Sequence, residues 1–394
     1  GSEGSCVYRC QAIGSGIVLF NSYEFLFGFL PATLCILLAL SRLSSRTHVA
    51  MLVGLSSFFY AWWNPSFVLL LIFSVVFNYA ISLALSNTAR FRWSGPDRKT
   101  FLVAGIAINL IVLGYFKYRG FFTESVFAIA GLELKVEGLI LPLAISFFTF
   151  QQIAYLVDLY QGNVKRPTFL RYALFVTFFP QLIAGPIVRA SEMLPQMGKH
   201  LRDRISVPMF LSGICLFGIG LAKKTLIADI AADFGDPVFE LAASGEQVSF
   251  VAAWVGATAF AIQIYFDFSG YTDMALGLGR MFGFVLPENF DAPYKSCSII
   301  DFWRRWHMTL SRFLRDYLYI PLGGNRKGVV TQGGALAATM VLGGLWHGAA
   351  WTFVFWGCLH GIYLMINHGW RTLVAPVLPA FGRGRLVRLA CWAV

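Results

Sequence analysis

Residues Gly328 to Trp370 read GVVTQGGALAATMVLGGLWHGAAWTFVFWGCLHGIYLMINHGW and contain no Asp, Glu, Lys or Arg. A membrane-spanning helix needs roughly 20 consecutive, mainly apolar residues, so this run is long enough to cross a bilayer twice. Backbone polar groups in hydrocarbon must be bonded internally, and a helix achieves this within one segment. The run therefore predicts two transmembrane helices.

The rest of the chain has the same character. Of its 394 residues, 57% are hydrophobic and 13% are charged, whereas soluble domains carry roughly a quarter charged residues. Aromatic residues make up 16% of the chain, and there are 38 glycines, which suits membrane interfaces and close helix packing. We expect an all-α, polytopic integral membrane protein with about ten apolar segments of spanning or near-spanning length, the other eight being residues 17–40, 49–63, 67–85, 101–116, 138–160, 169–188, 207–230 and 248–266.

The net charge of +11 does not indicate a nucleic-acid partner. Nucleic-acid binding requires a contiguous basic surface, but here Lys and Arg lie in short clusters between apolar runs. Such clusters mark cytoplasmic loops, so we expect the basic residues at 42–46, 90–99 and 165–171 to be cytoplasmic and the N-terminus to lie outside. By the same rule, the acidic loop 233–246 faces outward and the basic stretch 270–328 is cytoplasmic.

The chain is interpreted as a single domain. Residues 1–16 lack an initiator methionine and resemble a foreign remnant, while residues 17–394 form one membrane-embedded domain whose last apolar run, 386–394, suggests further C-terminal spans. Residues 169–188 have basic residues close on both sides and contain Pro180 and Pro186, so we expect a re-entrant segment there. The seven scattered cysteines show no disulfide framework and no metal motif.

One predicted helix outside the spans is amphipathic. Ser298 with Asp301 resembles a capping box that starts a helix running to about Tyr317. At about 100° per residue, the tryptophans and leucines of this segment share one face and its arginines share the other, with His307 on the border beside Arg304 and Ser311. The segment is therefore either an interfacial helix in which His307 is a packed polar residue, or a helix that presents His307 for chemistry.

His347 is the sharper candidate. It lies about 12 residues past Ala335, or roughly 18 Å along a helix in a hydrocarbon core near 30 Å thick, which places it near the midplane. An ionisable residue there is a functional candidate, because burial favours the neutral imidazole that a general base needs. Neighbouring Gly343, Gly344 and Gly348 would let backbones or an acyl chain approach. The alternative is a hydrogen-bonded core histidine that ties two helices together.

Other features are weaker. His360 would lie about 220° from His347 around a continuous helix, which favours a structural role for it. The loop Gly323 to Gly328 either holds phosphates through its amides and cations or is only a charged turn. The chain contains no Gly-x-Ser-x-Gly elbow, phosphate loop or His-Glu-x-x-His motif.

Several blocks of the sequence are similar to the membrane-bound O-acyltransferase (MBOAT) family, and within it to the alginate O-acetyltransferase group of bacterial polysaccharide-acetylating proteins. The resemblance covers nearly everything from about Val18 onward. The most specific blocks are FWRRWHMTLS at 302–311, LRDYLYIPLGGN at 314–325 and GGLWHG at 343–348, supported by residues 142–160, FPQLIAGP at 179–186 and YFDFSGYTDMA at 265–275.

The resemblance implies a fold, a mechanism and a set of partners. The fold would have ten or more transmembrane or re-entrant helices, with cytoplasmic amphipathic helices, around a central tunnel in a bacterial inner membrane. His347 would be the intramembrane catalytic residue and His307 the second polar member. Acetyl-CoA would be the acyl donor, with no tightly bound cofactor and no metal. A periplasmic partner resembling an SGNH hydrolase would complete transfer to an exported polysaccharide such as alginate.

Further side chains are expected to serve the donor or the tunnel. Trp303, Trp306 and Trp346 would form apolar walls that exclude water, and Arg304, Arg305 and Lys327 would attract donor phosphates. Ser311, Asn325 and Gln151 are also predicted to line the acyl-donor site or the tunnel.

Two other classes of function stay open at this point. A transporter would also suit many spans and a central ionisable residue, although we find no internal duplication of the kind that transporters often show. A scaffold for extracytoplasmic acetylation enzymes would need no chemistry of its own.

Overall fold

The computed structural model describes residues 19–39, 44–86, 95–132, 139–183, 185–198, 205–326 and 328–374. Every regular element in these ranges is helical, which confirms the all-α prediction. In chain order the helices are α1 (Leu30–Ala39), α2 (Ser45–Trp63), α3 (Pro65–Leu85), α4 (Gly95–Leu113), α5 (Arg119–Ile129), α6 (Ile145–Gln161), α7 (Phe169–Thr177), α8 (Phe179–Leu182), α9 (Ala190–Met193), α10 (Val207–Ala222), α11 (Asp229–Ala243), α12 (Phe250–Met281), α13 (Ile299–Arg305), α14 (Met308–Leu314), α15 (Val329–His347) and α16 (Trp351–Gly369).

Wider π-type turns extend or join several of these helices. They are Glu24–Phe29 before α1, Gly114–Tyr118 between α4 and α5, Lys223–Ala228 between α10 and α11, Arg315–Tyr319 after α14 and Trp370–Val374 after α16. The π turns make single long helices of α4 with α5 and of α10 with α11.

Within the described ranges, five helices are long and apolar enough to cross a membrane. They are Pro65–Leu85, Asp97–Ile129, Val207–Ala243, Phe250–Met281 and Val329–His347. The chain is therefore a multi-pass membrane protein, as predicted. The other five predicted apolar segments also contain helix, but these helices are shorter or less apolar.

The chain divides into two compact units. Unit 1 comprises Gly1–Leu110 and Pro142–Pro287, and unit 2 comprises Ile111–Leu141 and Glu288–Val394. The interpretation of residues 17–394 as one membrane domain stays a prediction, and the proposed foreign segment 1–16 and the apolar run 386–394 lie outside the described residues.

Unit 1 has an aromatic core. The side chains of Phe25, Phe59 and Phe179 are buried, and their ring centroids lie 5.3 to 6.3 Å apart, in the range where aromatic pairs attract. Helices α7 and α8 bring part of this core inward, and every residue from 172 to 182 is buried. Protein thus covers the irregular backbone between these two helices, which a re-entrant segment requires.

The loop predicted at 233–246 is wrong over most of its length, because helix α11 continues to Ala243. Its placement on the outer side of the membrane stays a prediction. Ala231 and Gly235 are buried on one side of α11, and Gly235 faces the backbone of α12 at Phe260. Small residues at helical spacing therefore face α12, and Asp233 lies between them in the sequence. The acidic composition of this segment indicated a loop, although its small residues have the spacing of a helix.

Helix α12 likewise extends beyond the predicted span, which ended at residue 266. The extension carries Asp267 and Asp273, which pair with Lys224 and Lys223 at 2.6 Å in each case. Lys224 also contacts Asp229 at 2.8 Å. Charges inside a membrane are tolerated mainly when they are paired, so these contacts allow the apolar helix to continue.

Glycines set the distance between α10 and α12. Gly213 and Gly220 lie seven residues apart on α10, as do Gly270 and Gly277 on α12. A Cβ atom on Gly220 would meet the Gly270 carbonyl oxygen at 2.5 Å, and one on Gly277 would meet the Gly213 carbonyl oxygen at 2.6 Å. The two backbones therefore touch at two points, as small residues permit in membrane helix pairs.

We predict that Gly220→Ala destabilises the protein by about 1–3 kcal/mol, the usual cost of forcing an extra carbon into a close-packed contact. Gly218→Ala is the matched control, because no atom lies within 4 Å of a Cβ atom there. Thermal unfolding of both variants in detergent checks this. Equal midpoints for the two variants would contradict the contact.

Unit 2 contains the amphipathic segment, which is broken. Ser298 starts it as predicted, its hydroxyl accepting from the Asp301 amide at 3.1 Å. However, α13 ends at Arg305 and α14 begins at Met308, so the prediction of one helix to Tyr317 is wrong. At the break His307 has φ +43°, a left-handed conformation that is uncommon for residues other than glycine.

Helices α15 and α16 form a tight hairpin in unit 2. The turn between them runs from Gly348 to Ala350. A Cβ atom on Gly344 would lie 2.2 Å from the Phe353 carbonyl oxygen, and one on Gly348 would meet the Phe353 ring at 2.1 Å. The predicted close approach of a backbone at these glycines is confirmed for Gly344.

Candidate active site

His347 is the last residue of α15. The sequence estimate measured its depth from Ala335, but the helix begins at Val329, so His347 lies at the end of a 19-residue helix rather than part-way along it. Its side chain is partly buried. The position near the bilayer midplane stays a prediction.

His307 is held by Asn289. The side chain of His307 is 1% exposed and that of Asn289 is also 1% exposed. The Asn289 side-chain oxygen lies 3.0 Å from His307 Nδ1 and accepts from the Thr309 amide at 3.2 Å and the Thr309 hydroxyl at 2.9 Å. The backbone is fixed by the same residue, since the Met308 amide donates to the Asn289 carbonyl at 2.9 Å.

This network defines the tautomer of His307. A backbone amide can only donate, so the atom that receives the Thr309 amide is the oxygen of Asn289. His307 Nδ1 must then carry the proton and donate, which makes Nε2 the unprotonated nitrogen. Burial lowers the pKa of His307 well below its usual value, and nearby His347 lowers it further. The ring is therefore neutral.

The two histidines meet in a cluster of aromatic rings. The ring centroids of His307 and His347 are 6.5 Å apart, and Trp346 lies 6.1 Å from the first and 5.0 Å from the second. Trp356 packs against His347 at 5.3 Å. We call His307, His347, His360, Trp303, Trp346 and Trp356 the histidine–tryptophan cluster.

His360 belongs to this cluster. Its ring lies 4.5 Å from Trp356 and 5.4 Å from Trp303. His347 and His360 do not lie on one continuous helix, as the predicted angle of about 220° between them required, because α15 and α16 are separate helices. The structural role that followed from it has therefore lost its basis.

The cluster offers chemistry suited to proton transfer away from water. Imidazole nitrogens can accept a proton from a hydroxyl group, and the tryptophan rings form an apolar surround. Trp303 Nε1 is buried and has no hydrogen-bond partner in the described protein. Since an indole N–H only donates, it can serve an oxygen atom of a bound molecule.

The other predicted side chains are placed as follows. Arg304 is exposed, and Arg305 pairs with Asp301 at 3.1 Å and with Asp291 at 3.5 Å. Trp306 is buried and packs edge-on against Phe290 at 5.2 Å.

Ser311 donates to the Trp306 carbonyl at 3.3 Å, and Asn325 is exposed. Gln151 belongs to unit 1, where its amide donates to the Phe175 carbonyl at 2.8 Å. Lys327 lies outside the described residues.

Two groups that contact the cluster were not predicted from the sequence. Asn289 was not singled out, because nothing in its local sequence signals a contact 18 residues away. Lys117, which donates to the Trp346 carbonyl, lies one residue beyond the predicted span 101–116. A Lys that directly follows an apolar run within the same predicted helix would have indicated a functional residue.

Comparison with known proteins identifies the class. The membrane-bound O-acyltransferase family model matches residues 157–385, which include both histidine motifs. The chain is 43% identical over 381 residues to the peptidoglycan O-acetyltransferase of Helicobacter pylori, a match that covers 90% of this chain and 71% of that protein. The chain belongs to the membrane-bound O-acyltransferase family. It is therefore an O-acyltransferase, which confirms the predicted enzyme class.

The names of two other similar proteins refer to alginate and to teichoic acid. The probable alginate O-acetylase of Pseudomonas aeruginosa is 42% identical over 365 residues, or 91% of this chain and 68% of that protein. The teichoic acid D-alanyltransferase of Streptococcus thermophilus is 28% identical over 284 residues, or 66% of this chain and 68% of that protein.

We predict that Asn289→Ala lowers both stability and acyl transfer, because three buried donors lose their acceptor and each unsatisfied group costs about 1–3 kcal/mol. Asn163→Ala, at an exposed position outside the candidate site, is the control. The measurements are the thermal unfolding midpoint and the turnover number. A variant of Asn289 that matches wild type in both would show that Asn289 does not hold His307.

Proposed function

We propose that this MBOAT protein passes acetyl groups from cytoplasmic acetyl-CoA across a bacterial inner membrane for O-acetylation of an exported polysaccharide. The observation that carries the proposal is that the ring of His347, at the end of α15, lies 6.5 Å from the ring of His307. The names of the relatives from Helicobacter pylori and Pseudomonas aeruginosa support an acetyl group and a polysaccharide acceptor.

In the proposed reaction His347 acts as general base. It takes the proton of an acceptor hydroxyl, whose oxygen attacks the thioester carbonyl. The new C–O ester bond forms as the C–S bond breaks, and the proton passes from His347 to the departing CoA thiolate. His307 can share in proton transfer only through Nε2, because Nδ1 is engaged with Asn289.

The surroundings of His347 support acyl transfer over hydrolysis. Trp346 and Trp356 contact its ring, and large apolar faces exclude water that would otherwise attack the thioester. We propose that a tunnel leads from both membrane faces to this cluster. The acceptor is either a sugar hydroxyl or a serine of a periplasmic partner resembling an SGNH hydrolase.

We predict that His347→Ala lowers turnover by about 10²–10⁴-fold, the usual contribution of a general base. His368→Ala is the matched control, because it removes a histidine of α16 that lies outside the cluster. Purified protein is mixed with radiolabelled acetyl-CoA and acceptor, and ester formation is measured. Unchanged turnover in the His347 variant would remove it from the mechanism.

Release of CoA, acetylation of secreted glycans and transport into vesicles together distinguish an enzyme from a transporter and from a scaffold. We expect wild-type protein to release free CoA in step with ester formation, and secreted glycans to lose ester-linked acetyl groups when the protein is absent. Movement of acetyl-CoA across a vesicle membrane without thioester cleavage would instead support a transporter. Full glycan acetylation with both His307 and His347 replaced would support a scaffold.

A further inference from the structure

A cation lies in the long helix that joins α4 to α5. Lys117 is part of the π turn Gly114–Tyr118, within the candidate span Asp97–Ile129. Single π turns in helices occur frequently at functional sites, and a Lys within a span needs a partner and is a functional candidate. The reaction as proposed above does not use it.

Lys117 and Tyr118 bind two consecutive carbonyl groups of α15. The Lys117 ammonium donates to the Trp346 carbonyl, and the Tyr118 hydroxyl donates to the Leu345 carbonyl at 2.8 Å. The ammonium also lies 5.8 Å from the centre of the Trp346 ring. These carbonyls belong to the two residues immediately before His347.

The end of α15 creates the need for these donors. The helix ends at His347, and the Gly348 amide bonds to the Gly344 carbonyl at 3.3 Å. Carbonyls in the last turn of a helix have no partner within the helix, and in a membrane an unsatisfied carbonyl is costly. Two neighbouring side chains meet two neighbouring carbonyls, so both the rotation and the axial position of this helix end are fixed.

Charge distinguishes the two contacts. The C-terminus of a helix carries a partial negative charge that favours a cation, and the ammonium also faces the electron-rich ring of Trp346. Tyr118 supplies a neutral hydrogen bond to the adjacent carbonyl. Lys117 and Tyr118 can therefore be compared as a charged and an uncharged donor at the same helix end.

We propose that Lys117 is a positioning residue for acyl transfer, whose positive charge at the C-terminus of α15 holds His347 in its reactive orientation. This inference rests on the proposed role of His347. Lys117 acts through the Trp346 backbone, and the neutral bond of Tyr118 does not replace it.

Four variants test the inference in the full-length protein with acetyl-CoA as donor. Lys117→Met removes charge and hydrogen bond, Lys117→Gln keeps a donor without charge, and Lys117→Arg keeps the charge. Tyr118→Phe is the matched control, because it removes only the neighbouring neutral bond. For each variant, kcat, the KM for acetyl-CoA and the thermal unfolding midpoint are measured.

We expect kcat to fall by about tenfold or more in the Met and Gln variants with little change in KM, since misplacement of a catalytic group by about 1 Å can cost 10²-fold. The Arg variant should recover most of the loss, and Tyr118→Phe should change kcat far less. Wild-type kcat in Lys117→Gln, or equal losses in Lys117→Met and Tyr118→Phe, would overturn the inference. If Lys117→Met does not fold, the comparison of kcat between Lys117→Gln and Lys117→Arg tests the inference.

Failure of the proposed function would look different. In that case His347→Ala would keep full turnover, or wild-type protein would transfer no acetyl group. Loss of turnover in His347→Ala together with normal turnover in every Lys117 variant would reject only the positioning role.

Discussion

The rest of this molecule depends on one constraint: a helix that ends inside an apolar surround must have its last carbonyls bonded by the protein. Helix α15 ends at His347, and side chains of a different helix bind the carbonyls of Leu345 and Trp346. These bonds position the backbone of His347, while its ring packs against the rings of Trp346 and Trp356. The ring nitrogens thus stay available for chemistry.

His307 reaches the cluster by a different route. It lies at a break between two short helices, in a left-handed conformation, and Asn289 holds both its ring and the following residues. Left-handed conformations of non-glycine residues persist only where surrounding contacts enforce them, and they concentrate at functional sites. One histidine is therefore placed by helix capping and the other by a buried amide, which makes their separation depend on two independent sets of contacts.

Each predicted apolar run contains helix in the described ranges, because apolar length is a local property, and five of the ten are long and apolar enough to cross a membrane. Short motifs carry His307 and His347, so the sequence could single them out, and their catalytic roles stay predictions. The predictions that failed depended on contacts between residues far apart in the chain. A continuous period at 298–317 could not reveal the break that Asn289 enforces from 18 residues away, and an acidic composition at 233–243 concealed the small residues that pack α11 on α12. Lys117 was missed because its partner lies 229 residues away along the chain.

The ion pairs of unit 1 have a consequence for biosynthesis. Lys223 is matched by Asp273, which is 50 residues further along the chain. A lone Lys at the centre of an inserting helix costs about 2.5–3.5 kcal/mol. At about 5–20 residues per second, the ribosome needs several seconds to deliver the partner, so the helix of Lys223 must wait at the translocation machinery or insert at a penalty. The two helices are thus expected to leave the insertion channel together as a preassembled hairpin.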